Sequence, residues 1–404
     1  MRIPLRRRIT WRHWAVMTAG IAAAAAWACS GANSPTAPSP AVVNQGKDIF
    51  RFDTFGDETF WTDTLRLPEV VQTVSPSTAL SVGLKVDADT LPPAVLAAIQ
   101  AGQVDLNDPA TTVTLLKLGA VVGIKATVDS SNHITRLGTT CALCHSTVDN
   151  RIAKGIGSRR DGWPNRELNP GAIIALSPAV TPAQKAVYNS WGPGRYDARF
   201  NFDGLNGPMI IPPAYGLHGV HSITATGDGQ DIEYWNRYVS VTQMHGHGSF
   251  AEPRLGISVQ NPPDIVSAKL DALQAYQLSL AAPLPPAGSF DAAAAARGRA
   301  VFTGAGNCAS CHAGTLLTDA NTRLHAPAEV VSEPEPNGAP SAASRSATKM
   351  YRTTPLRALQ LHAPYFHNGV APTLEAVVQL YDTRKGLHLT AQQKADLVQY
   401  LRSL

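Results

Sequence analysis

Apolar residues recur at helical spacing near the C-terminus of the 404-residue chain. Leu397, Val398, Leu401 and Leu404 form one stripe, and Thr390 with Gln393 ahead of them makes a capping-box pattern, so a last helix is predicted there. Another is predicted to start at Thr373, after Pro372, with Leu374, Val377, Val378 and Tyr381 on one face. A third is predicted over 292–302 with Asp291 as its cap. Gly298 and Phe302 share a face of that helix, and Gly306-Asn307 breaks the chain after it. Further towards the N-terminus, 93–101 and 109–118 look helical, the second with Asp108 as cap and Pro109 in its first turn. Residues 120–128 and 134–137 are expected to pair as a hairpin around 129–133. Gly (32) and Pro (30) are abundant, so much of the chain should be loop. No apolar run long enough to span a bilayer follows residue 40.

Residues 1–28 carry five arginines, then a short apolar stretch ending in Ala26-Trp27-Ala28. That is the pattern of an export signal. Cys29 follows at once and suits either a lipidated first mature residue or a plain Ala-x-Ala cleavage site. A tether is expected over 29–45, rich in Ser, Pro and Ala at its start. Without the leader, 29 basic residues face 30 acidic ones. The formal charge of +4 therefore belongs to the leader, and binding to nucleic acid loses its electrostatic argument.

The remaining four cysteines carry the chemistry. They form Cys141-Ala-Leu-Cys144-His145 and Cys308-Ala-Ser-Cys311-His312. Two thiols three residues apart can bond the two vinyl groups of one porphyrin, and the adjacent imidazole then meets the iron. This predicts two covalently bound haem c groups, with His145 and His312 as proximal ligands. A redox disulfide or half of a zinc site would use the same cysteine spacing. Neither explains a histidine directly after both pairs.

Arg352-Thr-Thr-Pro-Leu-Arg-Ala-Leu, Ala363-Pro-Tyr-Phe-His-Asn-Gly369 and Thr373-Leu-Glu-Ala-Val-Val378 resemble the di-haem cytochrome c peroxidase family, which includes the enzyme that matures methylamine dehydrogenase. The order helix, C-x-x-C-H, long loop, helix, helix resembles the cytochrome c fold. The resemblance implies a mainly α protein of two tandem cytochrome c-like domains, over 46–285 and 286–404, with long loops and an N-terminal extension holding the hairpin. A faint internal repeat agrees: Pro213 to Gly227 and Pro355 to Gly369 have equal spacing, each followed by a helical pattern. Dimers are typical of the family.

The sixth ligands are less plainly written. The mature chain holds only Met209, Met244 and Met350. Met244, placed by the repeat, is the candidate for the first haem, with His245 and His247 competing. The peroxidases usually carry a distal His after the first motif, for which His218 and His221 are available. Fourteen residues after His367 stands Tyr381, where the peroxidases carry a Met ligand and the maturation enzyme a Tyr. Tyr381 ranks first for the second haem, with Met350, His362 and His367 as alternatives. Arg159, Arg160 and Arg166 are available for haem propionates, or are surface arginines. Asp197, Asn201 and Asp203 offer hard oxygens for Ca²⁺, or form a polar loop. The leading expectation is an exported, periplasmic or lipid-anchored di-haem cytochrome c that moves electrons between redox partner proteins. The alternative is a di-haem peroxidase reducing hydrogen peroxide, or a related oxidoreductase.

Overall fold

The computed structural model describes residues 37–404. The leader, Cys29 and the tether up to residue 36 lie outside the described residues. The chain from Pro40 onward is mainly helical, with five small two-stranded sheets among the described residues. No helix there is long and apolar enough to cross a membrane.

The long elements in chain order are α1 (Pro40–Phe52), α2 (Pro93–Gln100), α3 (Pro109–Lys117), β1 (Ile124–Val128), β2 (Ile134–Thr139), α4 (Ile232–Tyr238), α5 (Leu270–Ser279), α6 (Ala292–Thr303), α7 (Leu374–Lys385) and α8 (Ala391–Arg402). The caps read from the sequence are in place. The side chains of Asp108, Asp291 and Thr373 each accept a backbone N–H at the start of α3, α6 and α7. Thr390 and Gln393 close a reciprocal capping box on α8. β1 and β2 pair antiparallel, from Ile124 opposite Thr139 to Val128 opposite Ile134, with an irregularity at Thr127.

α1 corrects the expected tether. Helix begins at Pro40, inside the segment assigned to linker. Val42, Val43, Gly46, Ile49 and Phe50 already have helical spacing, and Gly46, Ile49 and Phe50 are buried.

One helix crossing occurs twice. α1 packs on α5, and α6 packs on α8. At the first crossing a Cβ on Gly46 would lie 1.8 Å from the Ala272 carbonyl oxygen; at the second a Cβ on Gly298 would lie 2.0 Å from that of Asp396. In each case an aromatic four residues on completes the contact. Phe50 meets Tyr276 edge-on at 5.6 Å, and Phe302 meets Tyr400 at 5.1 Å. Only a residue without a side chain lets the two backbones approach this closely.

Between the crossings the chain builds three principal cores. Residues 61–137 pack with Ile156, Tyr188 and Trp191 into one apolar cluster, so the extension has its own core rather than lying as loose loop. α1, α4 and α5 share a second cluster with Ala142 and Met244. α6, α7 and α8 form the third, with Cys308 against it. The repeated loops then abut. The Ile210 N–H donates to the His367 carbonyl at 2.7 Å, the Arg352 N–H to that of Ala225 at 2.9 Å, and the Arg357 guanidinium to the Gly216 carbonyl. The faint sequence repeat is thus a pair of segments in contact.

Candidate functional site: two haem-attachment motifs on one cavity

Cys141–His145 follows directly on β2. The short helix 142–145 brings the histidine to a small antiparallel pair, Ser146–Val148 with Arg159–Asp161. The second motif lies in the turn after α6, where Asn307 enters the left-handed region at φ 47°. All four cysteines of the motifs stand unpaired. Burial pushes the thiols of Cys141 and Cys144 up to about 12, and that of Cys308 up to about 11.

Each motif histidine is held by its far nitrogen. His145 Nδ1 lies 3.1 Å from the Pro212 carbonyl, and His312 Nδ1 lies 3.1 Å from that of Leu317. An Nδ1–H donated to a carbonyl fixes the tautomer and leaves Nε2 as a lone-pair ligand. Burial, the largest cause, holds His145 neutral by lowering it to about 4; it lowers His312 as well. Phe302 of the second helix crossing sits 6.3 Å from the His312 ring, which ties the proximal side to α6.

Both motifs open onto one cavity of about 1200 Å³. Ordinary small-molecule sites hold roughly 300–1,000 Å³. Its walls also carry buried cations with unused donors. Nε and Nη1 of Arg166 and Nε of Arg352 are buried without a hydrogen-bond partner. Burial lowers each of these two guanidiniums to about 10. Buried donors without acceptors are costly. The carboxylates of a porphyrin would satisfy them, so the residues fit haem c at both motifs. Of the three arginines singled out from the sequence, only Arg166 lines the cavity. Arg159 is buried against Asp87 at 2.9 Å, and Arg160 lies over the Trp163 ring at 4.7 Å. Arg352 was missed, although it opens the Arg-Thr-Thr-Pro segment.

Met244 ends the π-helical turn Val239–Gln243 that continues α4. It is buried, and it lines the cavity beside the first motif. Its rivals point elsewhere: His245 stacks on Phe60 at 3.6 Å, and His247 Nδ1 lies 2.9 Å from the Pro262 carbonyl. Neither lines the cavity, and His218 and His221 are exposed. Met209 does line it.

Tyr381 lies on α7 facing the second motif. Burial first, then Cys308 and Cys311, push its phenol well above the usual range. Its hydroxyl has no hydrogen-bond partner among the described residues, and its ring lies 6.0 Å from Phe366. Met350 does not line the cavity. His367 does, but its Nε2 lies 2.5 Å from Glu335 Oε1, inside a cluster with Glu333 and Tyr351. His362 Nε2 is taken by the Tyr215 hydroxyl at 2.8 Å.

The calcium candidate is corrected. Asp197 and Asp203 do converge, but on Arg345. Its Nη2 lies 2.9 Å from Asp197 Oδ1, and its Nε lies 2.7 Å from Asp203 Oδ2. Asn201 accepts from Tyr188 instead, at 3.2 Å. The cation these acids hold is a side chain 142 residues beyond Asp203.

The cytochrome c family matches residues 295–404. Cytochrome-c peroxidase IdrP2 of Denitromonas iodatirespirans is 31% identical over 140 residues, covering 26% of this chain and 38% of that protein. Cytochrome-c peroxidase IdrP1 of Pseudomonas sp. (strain SCT) is 30% identical over 147 residues, covering 27% and 39%. The chain thus spans about two-fifths of the length of these curated relatives. Among solved structures, hydrazine synthase of Kuenenia stuttgartiensis matches 49% of this chain and 73% of that one, at 18% identity and TM-score 0.36. A MauG-like protein associated with microbial copper homeostasis matches 48% and 73%, at 23% identity and TM-score 0.33.

Proposed function

We propose that this chain, whose residues 295–404 match the cytochrome c family and which resembles cytochrome-c peroxidases over part of its length, is a di-haem peroxidase-like protein that binds two haem c groups and passes electrons from an external donor to a peroxide. The observation that carries this reading is the single cavity walled by both Cys-x-x-Cys-His motifs. Two haems held there would share that cavity. The repeated glycine crossing supports two related halves, each placing one motif beside a paired set of helices. Haem c would supply a one-electron redox change at both motifs and, where its sixth position is open, a place for peroxide to bind.

The chain's own residues do the rest. His145 and His312 present neutral Nε2 atoms, held by Pro212 and Leu317. Arg166 and Arg352 offer charge to the propionates. Polar groups line the first motif's side: Gln243 Oε1 accepts from the Tyr196 hydroxyl at 2.5 Å, and both residues are on the cavity wall. Distal polarity of this kind suits an oxygen ligand. Export to the periplasm and a soluble or membrane-bound redox partner remain part of the reading.

A specific observation favours pure electron carriage as the second reading. Met244 and Tyr381 both stand on the cavity wall as sulfur and oxygen donors, and a haem with two strong axial ligands only passes electrons. The experiment separates the two. Protein matured with the haem-attachment machinery is expected to gain two haem masses, and a single addition overturns the two-haem proposal. Supplied with a reduced one-electron donor, it is expected to consume hydrogen peroxide. Two haems without turnover would hand the function to the carrier reading. Met244→Ala is expected to turn one ferric haem high spin by EPR; an unchanged spectrum removes Met244 as a ligand.

A further inference from the structure

A tyrosine and a histidine meet at the junction of the two repeats. Tyr215 lies in the loop that also supplies the Pro212 carbonyl to His145, and His362 lies in the loop leading into Pro-Tyr-Phe-His. The Tyr215 hydroxyl is 2.8 Å from His362 Nε2, and the ring centroids are 5.8 Å apart. The two residues are 4% and 8% exposed, and both face the shared cavity. The pair is held from both ends. Arg166 Nη2 donates to the His362 carbonyl at 3.0 Å, and the Ala214 N–H donates to the Gly162 carbonyl at 2.8 Å. A Cβ on Gly162 would come within 3.1 Å of the Tyr215 Cβ.

A structural hydrogen bond between two loops would account for the contact, but a phenol paired with an imidazole can do more. An oxidised phenol is a strong acid, and it can be formed in a buried site only if its proton has somewhere to go. His362 is that acceptor. Its Nε2 faces the hydroxyl at 2.8 Å, and burial, then Arg166, keep the imidazole neutral before the proton arrives. Trp163 lies edge-on to Tyr215 at 6.1 Å, is half-buried, and has Arg160 over its face.

We propose that Tyr215 is a redox-active residue that gives one electron to peroxide reduction while its phenolic proton moves to His362 Nε2. Hydrogen peroxide takes two electrons and two solvent protons to give two waters. Tyr215 supplies one electron, and haem c held at the motifs would supply the other. The O–H bond of Tyr215 breaks, an N–H bond forms on His362, and a neutral tyrosyl radical remains. One external one-electron donor reduces the radical, a second restores the electron given at the motifs, and the proton returns from His362 to Tyr215. The inference rests on the peroxide reading of this cavity.

The test is freeze-quench EPR of the diferric, two-haem protein mixed with hydrogen peroxide, with the haem absorbance followed in parallel. A free-radical signal is expected, narrowed when the protein is made with ring-deuterated tyrosine. Tyr215→Phe keeps the ring and is expected to cut that signal at least tenfold while the haem absorbance still responds to peroxide. His362→Gln keeps a hydrogen-bond acceptor without a proton-accepting nitrogen and is expected to lower the radical yield several-fold with Tyr215 intact. Haem that responds to peroxide while the radical is absent, or is undiminished in Tyr215→Phe, overturns the role of Tyr215 alone. Haem that does not respond overturns the peroxide reading and the proposal with it.

Discussion

Arg345→Met is expected to destabilise the folded chain by about 3–5 kcal/mol, the cost of stranding a buried charge. Arg345 is buried, and its guanidinium serves six acceptor atoms on four residues. It reaches both oxygens of Asp197 and of Asp203, and the carbonyls of Leu205 and Gly207 at 2.9 and 3.2 Å. The Asp197 side chain is 1% exposed. Without the guanidinium, that carboxylate has only the N–H groups of Arg199, Phe200 and Gly207. These bonds also join the loop after α6 to the chain before α4, so the loss should be global rather than local. Arg345→Lys should recover only part of it, because a point charge with three donors cannot replace a planar fork. The denaturant midpoint read by circular dichroism checks both variants. A change below about 1 kcal/mol, the range of exposed pairs, would show that the cluster is solvated. Added Ca²⁺ is expected to leave the native midpoint where it is, since Arg345 already neutralises these acids.

Gly298→Val is expected to cost at least the upper end of the roughly 1–3 kcal/mol typical of overpacking. The clash is with backbone: the Asp396 carbonyl oxygen is 2.0 Å from the new Cβ, and the Tyr400 Cβ is 2.9 Å away. A side chain could rotate aside, but a carbonyl within α8 cannot move without breaking the helix ladder. α6 and α8 must separate, and Phe302 loses both Tyr400 and its contact with His312. The expected signature is therefore double: a lower unfolding midpoint and poorer haem retention at the second motif. Gly46→Val should do the same at α1 and α5, with the first motif affected. Either variant behaving as wild type in both measurements would show that the helices do not cross at these glycines.

Much of this was legible in the sequence, and the reason is locality. A haem-attachment motif is five residues long and carries its chemistry in its own spacing. Caps depend on residues three apart, and a hairpin on the turn between its strands. The helix at Pro40 carried the same kind of signal. Gly46-Lys-Asp-Ile-Phe50 matches Gly298-Arg-Ala-Val-Phe302 in its glycine and phenylalanine, and that match marks the start of the first helix crossing.

What remained belongs to contacts between distant residues. Asp197, Asn201 and Asp203 read as a cation site or a polar loop because their spacing is local, whereas the cation that the two aspartates hold, Arg345, lies far along the chain. His362 and His367 looked alike as haem ligands until tertiary packing gave one to Tyr215 and the other to Glu335. Met244, favoured by the repeat, still had neighbouring histidines as rivals until the π-helical turn put the sulfur on the cavity wall and the imidazoles on Phe60 and Pro262. By itself the sequence determined where the two Cys-x-x-Cys-His motifs stand and which segments are helical, because both follow from groups within a few bonds of one another. Only the tertiary structure decided which side chains surround the two motifs, because that choice is made by the folding of loops more than a hundred residues apart onto a common cavity.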